Sequence, residues 1–138
     1  MLWEKDNYRI TDDKSYLNFD YYRDSLKTTY WASTRTVETM RKSLEKSIIF
    51  SMFHKDTQIG FVRVVSDFIT FSWICDVYIE PTCRGKGLSK WLMECVLESS
   101  AGKTRVNMLS TSNASELYEK FGFTTSEYAM MKKNANIH

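Results

Sequence analysis

The sequence predicts an α/β layer arrangement built on a mixed sheet. Three observations lead there. Segments with strand-like alternation are interleaved with segments at helical spacing. A Gly-containing turn joins a long strand to an amphipathic helix, the junction that layered folds use. No repeat, linker or composition shift divides the 138 residues, and 43% of them are hydrophobic, so one domain over 1–138 with a substantial core is expected.

The elements follow in order. Tyr8 and Ile10 alternate with polar neighbours and predict a short first strand. Phe19, Tyr22 and Leu26 stand at helical spacing behind Asn18, a good N-cap residue. Val37, Met40 and Leu44 repeat the pattern behind Thr36. Ile48 to Phe53 is β-branched and aromatic, and so is the return from Ile59 to Val65, with a turn at His54 to Thr57 between them. After a turn at Ser66-Asp67 a long strand is read from Ile69 to Glu80. Its odd positions, Ile69 to Ile79, form an apolar face; Thr70, Ser72, Asp76, Tyr78 and Glu80 form a more polar one. Pro81 ends it. Leu88, Trp91, Leu92, Cys95 and Val96 trace the clearest helix, stopped at Ser99 to Gly102. Val106 and Met108 mark a further strand. Ala114, Leu117, Tyr118 and Phe121 mark a last helix with Gly122 as its C-cap, and Phe123 onward is read as returning to the sheet. The order is β-α-α-β-β-β-α-β-α-β.

Composition narrows the function. Nineteen Lys and Arg against 17 Asp and Glu give a net charge of +2, far from the basic field of a dedicated nucleic-acid binder. Cys75, Cys83 and Cys95 are an odd number without paired spacing, and His54 and His138 lie far from them in sequence, so neither a disulfide framework nor a metal site is expected. The first residues lack a signal peptide's basic start and apolar run, and no stretch reaches the roughly 20 apolar residues that span a bilayer. A reduced, soluble, cytoplasmic chain without membrane partner is the expectation.

The segment that carries chemistry is Pro81-Thr82-Cys83-Arg84-Gly85-Lys86-Gly87-Leu88-Ser89. A strand ends, two glycines with basic neighbours follow, and a helix begins. The first amides of a helix have no internal partner, and the helix dipole favours an anion there. A phosphate-bearing ligand fits this place; a tight turn with solvated basic residues is the other reading. The P-loop pattern is absent, and a GxGxxG pattern beginning at Gly85 and Gly87 meets Lys90 where its third Gly belongs.

Arg84-Gly85-Lys86-Gly87-Leu88-Ser89 resembles the acetyl-CoA pyrophosphate loop of the GNAT N-acetyltransferase superfamily, R/Q-x-x-G-x-G/A, with Ser89 where Gly or Ala is usual. Val77 to Pro81 resembles that family's central strand. Leu117-Tyr118-Glu119-Lys120-Phe121-Gly122-Phe123, with Asn113 before it, resembles its second signature. The resemblance covers nearly the whole chain and implies a small member of bacterial type. Its sheet would be mixed and mostly antiparallel, with six to seven strands, about four helices and a splay in the middle.

The resemblance implies acetyl-CoA as co-substrate. Amides from Arg84 to Ser89 would hold its pyrophosphate, with Asn113 also matching the family's pattern. Its pantetheine would pair with Val77, Tyr78 and Ile79, and an amide near Val77 would polarise the thioester carbonyl. A primary amine, on a small molecule or a peptide, would attack directly in a ternary complex. Cys75 and Cys95 are then packing residues rather than nucleophiles. Tyr118 is the candidate general acid, since a phenol's pKa near 10 suits proton transfer to a leaving thiolate; at helical spacing it also reads as a core aromatic. Asp76 is a candidate base, an attractor for a cationic substrate, or a structural acceptor. Tyr30 and Trp31 wall the acceptor site or pack a helix corner. Arg63 is a partner for a substrate carboxylate or for Asp67. A non-catalytic CoA-binding sensor of the same fold is the alternative function, and a homodimer is expected by fold analogy alone.

Overall fold

The computed structural model describes residues 1–134. One six-stranded sheet runs in sequence order: β1 (Leu2–Lys5), β2 (Tyr8–Thr11), β3 (Ile48–His54), β4 (Thr57–Ser66), β5 (Phe71–Ile79) and β6 (Val106–Met108). The first five are antiparallel neighbours; β6 lies parallel to β5. That parallel step needs a crossover, supplied by α3 (Leu88–Glu98). Helices α1 (Phe19–Leu26) and α2 (Val37–Glu45) connect β2 to β3, and α4 (Ser115–Glu119) follows β6. The mixed, mostly antiparallel sheet with four helices matches the expected fold.

Local chemistry explains the boundaries. The Asn18 side chain accepts from the Tyr21 amide and Thr36 from the Thr39 amide, the two caps read from the sequence. The strand β1 is an addition to that reading. Four residues gave too little pattern, but Asp6-Asn7 is a two-residue hairpin loop with Asp6 at φ +54°, the left-handed conformation such turns require. The β5 strand begins later than Ile69 because the Asp67 carboxylate accepts from the amides of Ile69, Thr70 and Phe71 and holds 67–70 as a turn. No strand follows α4 among the described residues. Gly122, at φ +90°, turns the chain, and the Phe123 ring packs edge-on against Tyr118 at 6.0 Å. His138 lies outside the described residues.

The sheet separates two cores. Helix α3 covers one face with Leu88, Leu92, Met93 and Val96 against Val62, Val64, Ile74 and Ile79. On the other face, Tyr22 and Leu26 of α1 and Met40 and Leu44 of α2 pack on Ile49, Phe61 and Tyr78.

One strand departs from the period-two reading. Phe61 pairs with Tyr78 but Arg63 pairs with Cys75, so Asp76 and Val77 together oppose Val62. This is a β-bulge, with Asp76 at φ +48°. It reverses the alternation halfway along β5. Ile74 and Val77 both face the α3 side, whereas Asp76 and Tyr78 face α1 and α2. Of the positions read as the more polar face, Asp76 and Tyr78 are buried under α1 and α2 and Ser72 on the opposite, α3 side, at 4%, 7% and 0% exposure, while Thr70 is exposed and Glu80 half-buried.

Candidate active site

Two strand-to-helix junctions meet at the C-terminal half of β5. Its pairing with β6 covers only Phe71, Ser72 and Trp73. Beyond Trp73 the strands diverge, so Cys75 to Ile79 presents an open backbone edge on that side. The splay expected from the sequence is present.

At the end of β5 a short 3₁₀ turn, Pro81–Cys83, leads into the glycine loop. Gly85 and Gly87 have φ of +80° and +77°, and a Cβ on either would meet nothing within 4 Å. Glycine is needed here for its backbone freedom, not for a close approach. Gly87 caps α3 without any side-chain hydrogen bond. The Trp91 amide is the first to bond within the helix, to the Gly87 carbonyl at 3.2 Å, which leaves the Leu88, Ser89 and Lys90 amides facing outward. The Arg84 amide is engaged by the Pro81 carbonyl at 3.3 Å, so it is not among the free donors. Its side chain turns back instead: Nε donates to the Ile79 carbonyl at 2.9 Å, and the guanidinium lies 5.7 Å from the Tyr78 ring. A cleft of about 270 Å³ opens here between the loop and the end of α4; Lys90 and Lys120, which sequence reasoning passed over, also line it.

Tyr118 projects from α4 and is 7% exposed. Burial pushes its phenol above the usual value of 10, and nearby Tyr30 acts in the same direction, so it stays protonated at neutral pH. It also lines a larger cavity of about 870 Å³ between β6 and α4. Asn113 is exposed and precedes α4, which starts at Ser115.

Asp76 is the most heavily bonded side chain of the site. Oδ1 accepts from Trp31 Nε1 at 2.9 Å. Oδ2 accepts from Arg35 Nη1 and Arg63 Nε at 2.7 Å each and from the Tyr22 hydroxyl at 3.2 Å. Burial raises the cost of the charged carboxylate, but Arg35 and Arg63 outweigh it and hold the group below its ordinary pKa. A carboxylate with four donors and a lowered pKa is a poor proton acceptor, so the base reading of Asp76 gives way to the structural one. Arg63 pairs with Asp76 and with Ser47 Oγ (3.0 Å), not with Asp67. Arg35 and Tyr22 were missed by sequence reasoning. The signal for them was a lone acid among apolar strand residues, which must find cations if it is buried.

Tyr30 and Trp31 stand between α1 and α2, 67% and 41% exposed, with rings edge-on at 5.1 Å. Trp31 reaches back to Asp76, and the Ser112 hydroxyl donates to the Tyr30 hydroxyl at 2.7 Å. The pair thus bridges the α1–α2 connection to the β6–α4 loop across the mouth of the splay. Cys75 and Cys95 are not activated: burial pushes their thiols up to about 11 and about 12. Among the described residues no cluster of three or more potential metal ligands occurs, and no helix is long and apolar enough to cross a membrane.

Residues 45–125 match the acetyltransferase (GNAT) domain family. The chain belongs to the GNAT family. A GNAT-family protein of Xanthomonas campestris has 29% sequence identity and a TM-score of 0.88, each chain covering 96% of the other. A chain of Gibberella zeae, named as a candidate acetyltransferase, is 25% identical over 86% of this chain and 79% of its own length. N-acetylglutamate synthase from Neisseria gonorrhoeae, solved with coenzyme A and N-acetyl-glutamate, shares the fold at a TM-score of 0.74 and 12% identity, over 90% of this chain and 30% of its own. In this GNAT chain the glycine loop shares the smaller cleft with Leu117 and Lys120, while Tyr118 lines the larger cavity beside β6.

Proposed function

We propose that the chain is an acetyl-CoA-dependent N-acetyltransferase that moves an acetyl group to a primary amine by direct attack in a ternary complex. The observation that carries this reading is the open β5 edge leading to a helix N-terminus with bare amides. Family membership supports it, and so does the complex of a fold relative with coenzyme A.

The residues present fit acetyl-CoA. Left-handed Gly85 and Gly87 shape an open cradle, and Leu88, Ser89 and Lys90 supply unpaired amides for a diphosphate. On the edge of β5 turned away from β4, the Val77 main chain and the Ile79 amide can pair with an extended amide-containing arm; the Ile79 carbonyl is held by Arg84, and Tyr78 pairs with Phe61 of β4. Acetyl-CoA supplies an activated acyl thioester. The bulge at Asp76 reorients the backbone at Val77, whose amide then serves as the oxyanion donor. Tyr118, held protonated, donates its phenolic proton to the departing sulfur as the carbon–sulfur bond breaks, and the proton released by the amine nitrogen on amide formation returns to the phenolate. Asp76 takes no proton; with Arg35 and Arg63 it fixes the bulge and the Trp31 wall.

A panel of primary amines incubated with acetyl-CoA and read by mass spectrometry tests this. Products one acetyl group heavier, formed only with enzyme, are expected. Binding of acetyl-CoA with no acetylated amine in a broad panel identifies the non-catalytic sensor instead.

A further inference from the structure

Cations outnumber anions around Asp76. Arg35 and Arg63 share a single carboxylate, and among the described residues no second acid lies within ion-pair distance of either. Neither guanidinium can shed its proton. Both side chains are largely withdrawn from water, at 17% and 13% exposure. A desolvated charge without a partner is costly, so a surplus cation held here calls for an anion.

The position decides which anion. Asp76 directly precedes Val77, at the splay, and Trp31, edge-on to the exposed Tyr30, donates to its carboxylate. Arg63 spends Nε on Asp76 and Nη1 on Ser47, while Arg35 spends only Nη1 on protein. Arg35 therefore keeps donors free in the planar fork that receives a carboxylate edge-on. We infer that the acceptor amine carries a carboxylate and that Arg35, through the surplus charge of its cluster with Asp76 and Arg63, receives it. This rests on the proposed acetyl transfer and names the substrate class of that site.

The test compares matched acceptors that differ only in the carboxylate: glycine with methylamine, leucine with isoamylamine, phenylalanine with phenethylamine. At least one amino acid is expected to exceed its decarboxylated partner in kcat/KM by roughly ten-fold or more, the scale of a charged hydrogen bond. In Arg35→Gln, which leaves Arg63 and Asp76 as a balanced pair, that ratio should collapse toward one. A merely structural role would lower both members of a pair alike and leave the ratio standing. Preference for the decarboxylated amines, or for a phosphate-bearing amine such as phosphoethanolamine over every amino acid, overturns the inference while leaving acetyl transfer intact. If no amine is acetylated, transfer itself fails. The carboxylate site is then read by thermal shift in coenzyme A, where N-acetyl-leucine should raise Tm more than N-isoamylacetamide; equal or absent shifts overturn it as well.

Discussion

Replacing Asp76 with Asn removes one negative charge and almost no volume. The amide can still accept from Trp31, but it leaves Arg35 and Arg63 with no counter-charge in a site where the three side chains are 1%, 17% and 13% exposed. Breaking a buried ion pair by deleting one partner costs about 3–5 kcal/mol. For a chain of this length that is a fall in Tm of about 10–20 °C. Arg35→Gln and Arg63→Gln should each cost less, since either leaves a one-to-one pair. The sign with pH follows from the lowered pKa of Asp76. A carboxyl depressed in the folded state adds stability that is present above its unfolded value, about 3.9, and is lost as the pH falls through its lower folded value. The wild type should therefore lose this part of its stability only in acid, and Asp76→Asn should lack that part of the acid transition. Urea unfolding followed by circular dichroism, at neutral pH and below pH 4, reads both effects. An Asp76→Asn protein melting within about 3 °C of wild type at neutral pH would refute the claim that this carboxylate balances the two arginines.

Three further outcomes follow from named contacts. Gly60→Ala places a Cβ at 2.7 Å from the Tyr78 carbonyl oxygen and 2.9 Å from Ile79 Cδ1, so it should destabilise by about 1–3 kcal/mol in chemical denaturation by forcing β4 and β5 apart. Gly87→Ala meets open space but must hold φ +77°, so its stability loss should be near 1 kcal/mol, with weaker acetyl-CoA binding by calorimetry as the loop relaxes. Tyr118→Phe keeps the packing against Phe123 and removes the proton donor, so kcat should fall while the Kd for acetyl-CoA stays nearly constant; full activity would remove the role.

What the sequence made legible is what depends on local periodicity and capping. Phe19 to Leu26 and Val37 to Leu44 are amphipathic and carry Asn18 and Thr36 at their starts, so both helices fall where their spacing puts them. The glycine loop is legible for a related reason: its left-handed turn and bare helix start are properties of a few consecutive residues. Long-range partners are not written locally. Arg35 stands 41 residues before Asp76, in a connection without periodic pattern, and only folding brings the two together. The bulge hid the faces of β5, because a period-two reading assumes a straight strand and one extra residue inverts everything beyond it. The last strand failed for a chemical reason: after Gly122 the run Thr124-Thr125-Ser126-Glu127 offers no apolar alternation to bury.

The central claim is that the uncapped start of α3, entered through Gly85 and Gly87, grips a diphosphate beside an unpaired strand edge. Isothermal titration of the protein with coenzyme A tests it most directly. One site per chain, displaced by acetyl-CoA and weakened by Gly87→Ala, is the predicted result. A flat titration at millimolar ligand, from a protein shown to be folded, would contradict it.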